Sequence, residues 1–491
     1  MTTASEPVAN LLSIPPEIIH HILVFCQPTD VATFAKVCRI SFDLVYSGND
    51  QFLWRELFLN NYDDPRKSIQ TLVVDEVSAE PFKWKDVLQR RTEAELIARR
   101  AQNVESHERR RALETFVTAA LQALPAIKNS EEKEQPSSNL QWLDRVLRET
   151  HMLSQPILQT DSDSETIQLR SRLRAYVSLT HDPSDEEEST KVVAARRIES
   201  RCFVYDIRNY KPITHWGPFL ANGFVNWQHI EHLGNVVLTN LRELPGSWAT
   251  TVPSLGLENT QAFSAPGPCS DIDWAGVEGA SSIVSYLGTP QPIAIFRNLA
   301  EICLFHGLSV TSCTLYRLKI LDLTVWMESS DLFAFNYSNV AHGPRNAEFF
   351  RDSRFREATR LIEIKLYLVS RSQLRFYTPS PDLEDLKTRY PTLFFCGVSR
   401  GVSGNEAKVE GNVCIGIDGT IRWTFYDLIQ GAVHDLSTLW CSKGVQLGGI
   451  ASAAGIVGSW GTSVHDQGDP VGPFWLWKVP PAHSGALMDF T

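Results

Sequence analysis

Between Leu12 and Phe58 apolar positions recur in three short bursts separated by helix breakers. Ile18, Ile19, Ile22, Leu23 and Cys26 fall at helical spacing. Ser13 reads as the N-cap of that helix, Pro15 or Pro16 as a first-turn residue, and Glu17 as a charge near the positive end of the dipole. Pro28 is expected to end it, with Thr29 or Asp30 capping the next helix. Val31, Phe34, Ala35 and Cys38 then occupy positions i, i+3, i+4 and i+7, which make one apolar stripe. Gly48 and Asn49 break the chain again. Phe52, Leu53, Trp54, Leu57 and Phe58 form a third, strongly apolar turn and a half. A segment of about 50 residues cannot enclose that much apolar surface on its own. The pattern therefore predicts half of an interface.

Beyond this segment the pattern stays helical but becomes highly charged. Trp84, Val87, Leu88, Leu96, Ile97, Ala98, Leu113, Phe116, Val117, Ala120 and Leu121 recur at helical spacing across residues 82–124. Arg99, Arg100, Arg109, Arg110 and Arg111 lie between them and are balanced by Glu93, Glu95, Glu105 and Glu108, as on a solvated helix face. Two polar stretches, Asn129 to Asn139 and His181 to Thr190, read as disordered. Ser184, followed by four acids, reads as part of a solvating loop, with phosphorylation as the alternative. Leu140 to Leu153 and Ile167 to Leu179 read as helices.

The texture changes near residue 200. Ten of the thirteen tryptophans lie beyond it, among dense Gly and Pro. Short apolar runs at Cys202–Ile207, Leu332–Tyr337, Ile362–Val369, Leu393–Val398, Val413–Ile417 and Ile421–Phe425 predict a mainly β domain. One helix is embedded in it, Asn226 to Leu241, with Trp227, Ile230, Leu233, Val237 and Leu241 inward. Glycines beside Trp274 and Trp460 suit strands that bend around a core, as in a barrel or half-barrel. The Asp418-Gly419 pair marks a hairpin. A two-residue loop would set Ile415 opposite Arg422. A three-residue loop of Ile417, Asp418 and Gly419 sets Ile415 opposite Ile421 and Val413 opposite Trp423. The second arrangement keeps every apolar residue on one face, and buried faces decide register.

The first segment resembles the F-box. The residues that carry the resemblance are Ile14, Pro15, Glu17, Ile22, Leu23, Asp30, Val31, Val37, Cys38, Arg39, Leu53 and Trp54. Two departures are an Ile at the initial Leu position, and Phe42 and Leu44 where the family often has Trp. The resemblance implies a subunit that docks on the Skp adaptor of a Skp–cullin–F-box ubiquitin ligase and performs no bond chemistry itself. Ile14, Pro15, Ile18, Ile22, Leu23, Val31, Phe34, Val37, Cys38 and Trp54 are the candidates for the adaptor face and its supporting core. The C-terminal half is similar to that of a group of fungal F-box proteins. Phrases such as Val204-Tyr205-Asp206-Ile207, Asp273-Trp274-Ala275-Gly276-Val277 and Gly472-Pro473-Phe474-Trp475-Leu476-Trp477 carry this likeness. Residues 280–324 share no pattern with that group and read as an insertion or a gene-model artefact.

Together these readings predict an α+β protein. It has a three-helix F-box at 11–60, a helical linker with acidic loops at 61–200, and a mainly β recognition domain at 201–491. Trp423, Trp460, Trp475 and Trp477 are the candidates for client binding, although Trp475 and Trp477, two apart on one strand face, read as core residues first and as a pocket wall second. The expected partners are the Skp adaptor, through it cullin, and a client protein. A small-ligand-binding barrel and a non-ligase scaffold are the alternatives.

Composition narrows the choice. A net charge of −11 and a pI of about 5.7 argue against general nucleic-acid binding and against an anionic membrane surface. No basic n-region precedes an apolar run at the N-terminus, and the most apolar stretch, Ile293 to Leu321, is interrupted by charges. Nine scattered cysteines without a C-x-x-C fit a reducing compartment, cytoplasm or nucleus. There is no P-loop, G-x-G-x-x-G, G-x-S-x-G or H-E-x-x-H, so no catalytic or cofactor role is expected. His465, Asp466 and Asp469 are the nearest approach to a metal site, in a stretch that reads as a turn.

Overall fold

In the computed structural model the described residues are 14–48, 51–68, 82–100, 104–124, 127–128, 134–154, 163–180, 186–242, 274–275, 277, 279–290, 347–351, 357–375, 390–401, 406–429, 439–450, 452, 454–465 and 471–478. The chain divides near Met152 into two compact units.

The first unit is helical. Helix α1 (Pro16–Leu23) opens on proline, whose missing N–H is no loss in a first turn, and it buries Ile19 and Leu23. Helix α2 (Pro28–Ala35) begins at Pro28 for the same reason. Pro28 thus starts the second helix rather than ending the first, and Gln27, not Thr29 or Asp30, holds the cap position. Helix α3 (Arg39–Tyr46) is a further element, not expected as a separate helix; the Cys38 side chain caps it by accepting from the Ser41 amide. Helix α4 (Phe52–Asn61) buries Leu53, Trp54, Leu57 and Phe58. Ser13 lies outside the described residues.

Helices α5 (Trp84–Arg100), α6 (Ser106–Leu121) and α7 (Ser138–Thr150) continue the same core, with α5 and α7 packed on α4. Phe58 meets Trp84 at 5.6 Å, and Phe116 meets Trp142 at 5.5 Å between ring centres. The expected charge balance holds where Glu95 pairs with Arg99 at 2.9 Å and Glu93 with Arg111 at 2.7 Å. The polar stretch 129–139 is corrected in part. Strand β2 (Glu134–Gln135) pairs with β1 (Ile127–Lys128), and Ser137 and Asn139 are buried. The reason is Asp63, which accepts from the amides of Leu124 and Ser138 and from the Ser137 hydroxyl, while its own amide donates to Asn139. Three polar groups of the stretch that read as solvated, on Ser137, Ser138 and Asn139, are consumed by Asp63 through its carboxylate and its amide. Residues 129–133 lie outside the described set.

In the second unit, helices α8 (Ser164–Val177), α9 (Glu186–Val204) and α10 (Trp227–Arg242) pack together. The expected strand at Cys202–Ile207 is instead the end of α9 and a 3-10 turn at Ile207–Asn209. A six-residue apolar run does not separate strand from helix, and here Val204 and Tyr205 are buried by helix packing. Residues 186–190 of the second polar stretch begin α9, while 181–185, with Ser184, lie outside the described residues.

Eight strands close an antiparallel barrel in the order β10-β3-β4-β5-β6-β7-β8-β9. They are β3 (Gly279–Pro290), β4 (Glu357–Val369), β5 (Leu393–Gly401), β6 (Glu406–Ile415), β7 (Ile421–Ile429), β8 (Leu439–Gln446), β9 (Ile456–Thr462) and β10 (Gly472–Lys478). The β6–β7 register pairs Ile415 with Ile421 and Val413 with Trp423, and Gly419 has φ +73°. This is the three-residue loop. Of the stretch 280–324, residues up to Pro290 pair with β10 and β4; 291–324 and the run Leu332–Tyr337 lie outside the described residues.

Alternation along the strands assigns the two faces. Phe395, Trp423, Phe425 and Phe474 meet inside the barrel, with ring centres 5.3 to 6.3 Å apart. Two glycines make the room. A Cβ on Gly411 would stand 2.5 Å from the Phe395 ring, and one on Gly444 would stand 2.8 Å from Phe474. The middle of the barrel is therefore a packed core and not a channel. On the outer wall α10 packs against β9 and β10, whose Val457, Trp475 and Trp477 are buried.

Candidate functional site

Apolar residues that stay in water mark the candidate site. Helix α1 buries one flank and leaves Ile18 and Ile22, on its other flank, about half exposed; Phe25 just after it is 87% exposed. The turn between α2 and α3 presents Val37, 72% exposed, and α3 presents Ile40 and Phe42. Phe52 opens α4 and packs edge-on against His21 at 5.3 Å. Seven large apolar side chains on about 35 residues of sequence exceed the scatter of a monomer surface.

The residues named from the sequence now separate. Leu23, Val31 and Trp54 are buried and support the helices. Pro15, Ile18, Ile22 and Val37 are exposed, and Ile14, Phe34 and Cys38 are half-buried. Phe25, Ile40, Phe42 and Phe52 complete the exposed set and were not among the candidates. Part of their signal lay in the spacing: Ile18, Ile22 and Phe25 stand at i, i+4 and i+7, beside the stripe of Ile19 and Leu23, so a second apolar flank was legible in principle.

The backbone beneath is held by two long-range bonds. His20 Nε2 lies 2.8 Å from the Leu44 carbonyl, and Asn60 Nδ2 donates to Val24 O at 3.2 Å. They tie α1 to α3 and α4, so the exposed side chains ride on a fixed frame. Lys85 Nζ stands 5.0 Å from the ring centre of Tyr46 and 5.7 Å from that of Trp54, which anchors α5 behind this frame. Hydrogen bonds from the Ser41 hydroxyl and amide hold the Cys38 thiol below its usual range.

The four tryptophans do not form a surface. Trp423, Trp460, Trp475 and Trp477 are all buried. Trp423 and Trp460 lie on the inner face of the barrel, and Trp475 and Trp477 on the outer wall. The indole of Trp423 donates to Gln446 Oε1 and that of Trp475 to Ala454 O. His465 stacks on Trp216 at 4.6 Å, while Asp466 and Asp469 lie outside the described residues. Among the described residues no group of three or more His, Cys, Asp or Glu could hold a metal, and no helix is long and apolar enough to cross a membrane.

Residues 11–60, which include this helical face, match the F-box-like family. No curated protein and no solved structure matches the chain.

Proposed function

We propose that this chain is the substrate-recognition subunit of a Skp–cullin–F-box ubiquitin ligase, working in the cytoplasm or nucleus. The observation that supports it most is the exposed apolar set Ile18, Ile22, Phe25, Val37, Ile40, Phe42 and Phe52 on the segment that matches the F-box-like family. Such anchors concentrate binding energy in a few side chains once a partner excludes water. The Skp adaptor is the partner this face fits, and cullin follows through it. The chain itself carries out no bond chemistry. It contributes proximity, which raises the effective concentration of a client lysine to the millimolar range in a well-matched geometry.

In this reading the barrel unit holds the client. The four tryptophans first proposed for that task are core residues, so recognition falls to residues at the barrel surface or mouth. Co-purification of the full chain tests the reading. It should bring down the Skp adaptor and cullin, with a client that accumulates when the gene is removed. Recovery of the adaptor without cullin would point to a scaffold outside ubiquitin transfer. Recovery of neither would end the proposal.

A further inference from the structure

Asp427 is the one carboxylate on the inner face of β7 among the described residues, and its Oδ1 is sealed from solvent without a hydrogen-bond partner. Its neighbours on that face are Val409 of β6 and Trp440 of β8, each directly opposite in the strand register. Trp440 meets Trp460 of β9 edge to face at 5.2 Å. Below this layer the rings of Phe425 and Phe474 close the interior. Asp427 and Trp440 are nonetheless part-exposed and stand within two residues of the end of β7 and the start of β8. Small eight-stranded barrels are either filled by side chains or hold one small ligand. This one is filled in its middle and carries an unmatched acid at one end.

An unpartnered buried acceptor costs about 1–3 kcal/mol, and more if it is charged. Directly opposite in the register, Val409 is apolar and Trp440 is aromatic, a side chain whose ring face attracts cations; Cys441, next to Trp440, has its thiol raised by burial and by the Asp427 charge. We infer that this end of the barrel is a binding site for a small organic cation with an apolar body, held by the Asp427 carboxylate and the Trp440 ring, with Trp460 supporting Trp440 from the core. This inference stands apart from the docking of the F-box-like segment.

Burial raises the Asp427 carboxyl to about 7. A cation requires the ionised form, so binding and proton release are linked. The experiment uses the full chain and hexyltrimethylammonium as probe, with hexyl sulfate as the anionic control. Calorimetry and tryptophan fluorescence should show saturable binding of the cation and none of the anion. Affinity should rise about tenfold between about pH 6 and pH 8, as the ionised fraction of a group titrating near 7 rises from about a tenth to about nine-tenths. Asp427→Asn should lower affinity at least tenfold and abolish the pH dependence, and Trp440→Leu should lower it severalfold while keeping that dependence. The pH profile of the unaltered chain decides the question even if a variant folds poorly. Absence of saturable binding, equal binding of the anion, or a flat pH profile would overturn the inference.

Discussion

The guanidinium of Arg91 lies 5.2 Å from the ring centre of Trp142, fully buried in the helical core that continues from the F-box-like segment. Tyr62 covers it from another side at 5.3 Å. One nitrogen, Nη2, donates to Gln122 Oε1 at 3.3 Å, while Nη1 has no partner. Burial lowers the Arg91 pKa to about 10 and raises that of Tyr62 to about 12.

This arrangement separates packing from charge. Removing a buried charge and filling its space with apolar atoms is often neutral or stabilising, whereas a truncation leaves a cavity. Arg91→Met should keep or raise stability. Arg91→Ala should lose about 2–4 kcal/mol. Urea denaturation of residues 1–152 checks the pair if that unit folds alone, and otherwise the full chain serves.

On the apolar face, exposure sets opposite outcomes for similar substitutions. Ile22→Asp and Phe25→Asp place a carboxylate where water reaches it, so melting temperature should change little. Both should abolish capture of the Skp adaptor, because the partner would bury that charge unpaired at a cost of several kcal/mol. Val31→Asp, at a position 1% exposed, should instead unfold the segment. Pulldown paired with a melting curve reads both effects. Wild-type capture by Phe25→Asp would show that the face is drawn in the wrong place.

Inside the barrel, Gly444→Ala should cost about 1–3 kcal/mol through overpacking against the Ile456 and Phe474 side chains. Trimming the ring with Phe474→Leu in the same chain should recover part of the loss. A double-mutant cycle by thermal melting measures the coupling, and simple additivity of the two losses would contradict the packing described.

The barrel unit carries buried groups whose titrations oppose each other. His229 is buried, its Nε2 lies 3.1 Å from the Tyr210 hydroxyl, and burial lowers its pKa to about 3. Its unfolded form binds a proton below about 6.5, so the fold loses stability as pH falls from there toward about 3. Asp427 has the opposite sign. The folded form keeps its proton up to about 7 while the unfolded form loses it near 3.8, so stability falls as pH rises across that window. Each contributes on the order of a few kcal/mol. His232, on the same helix as His229, is also held below its usual value by burial, so between about pH 4 and pH 6.5 two histidine slopes oppose the one from Asp427 and stability should still rise with pH. Asp427→Asn should steepen that rise, read from denaturant midpoints across the range.

The sequence by itself determined most of the local structure. Proline and glycine positions with apolar spacing set the helices of residues 82–124, helix α10 and the β6–β7 hairpin, because those choices depend on neighbours a few residues away. The hairpin loop was legible because only one register places Ile415, Ile421, Val413 and Trp423 on a single face. The apolar face of α1 was visible as excess hydrophobicity, but not its division into core and surface. Leu23 and Ile22 are equally apolar in the sequence, and only packing against α3 and α4 buries one and leaves the other in water. Tertiary contact also decided that Asn139 is buried and that Cys202–Ile207 finishes a helix. It alone closed eight strands so that Asp427 faces inward and four candidate tryptophans became core. Those outcomes rest on residues tens to hundreds of positions apart, and the period of a local pattern carries no information about which distant surface covers it.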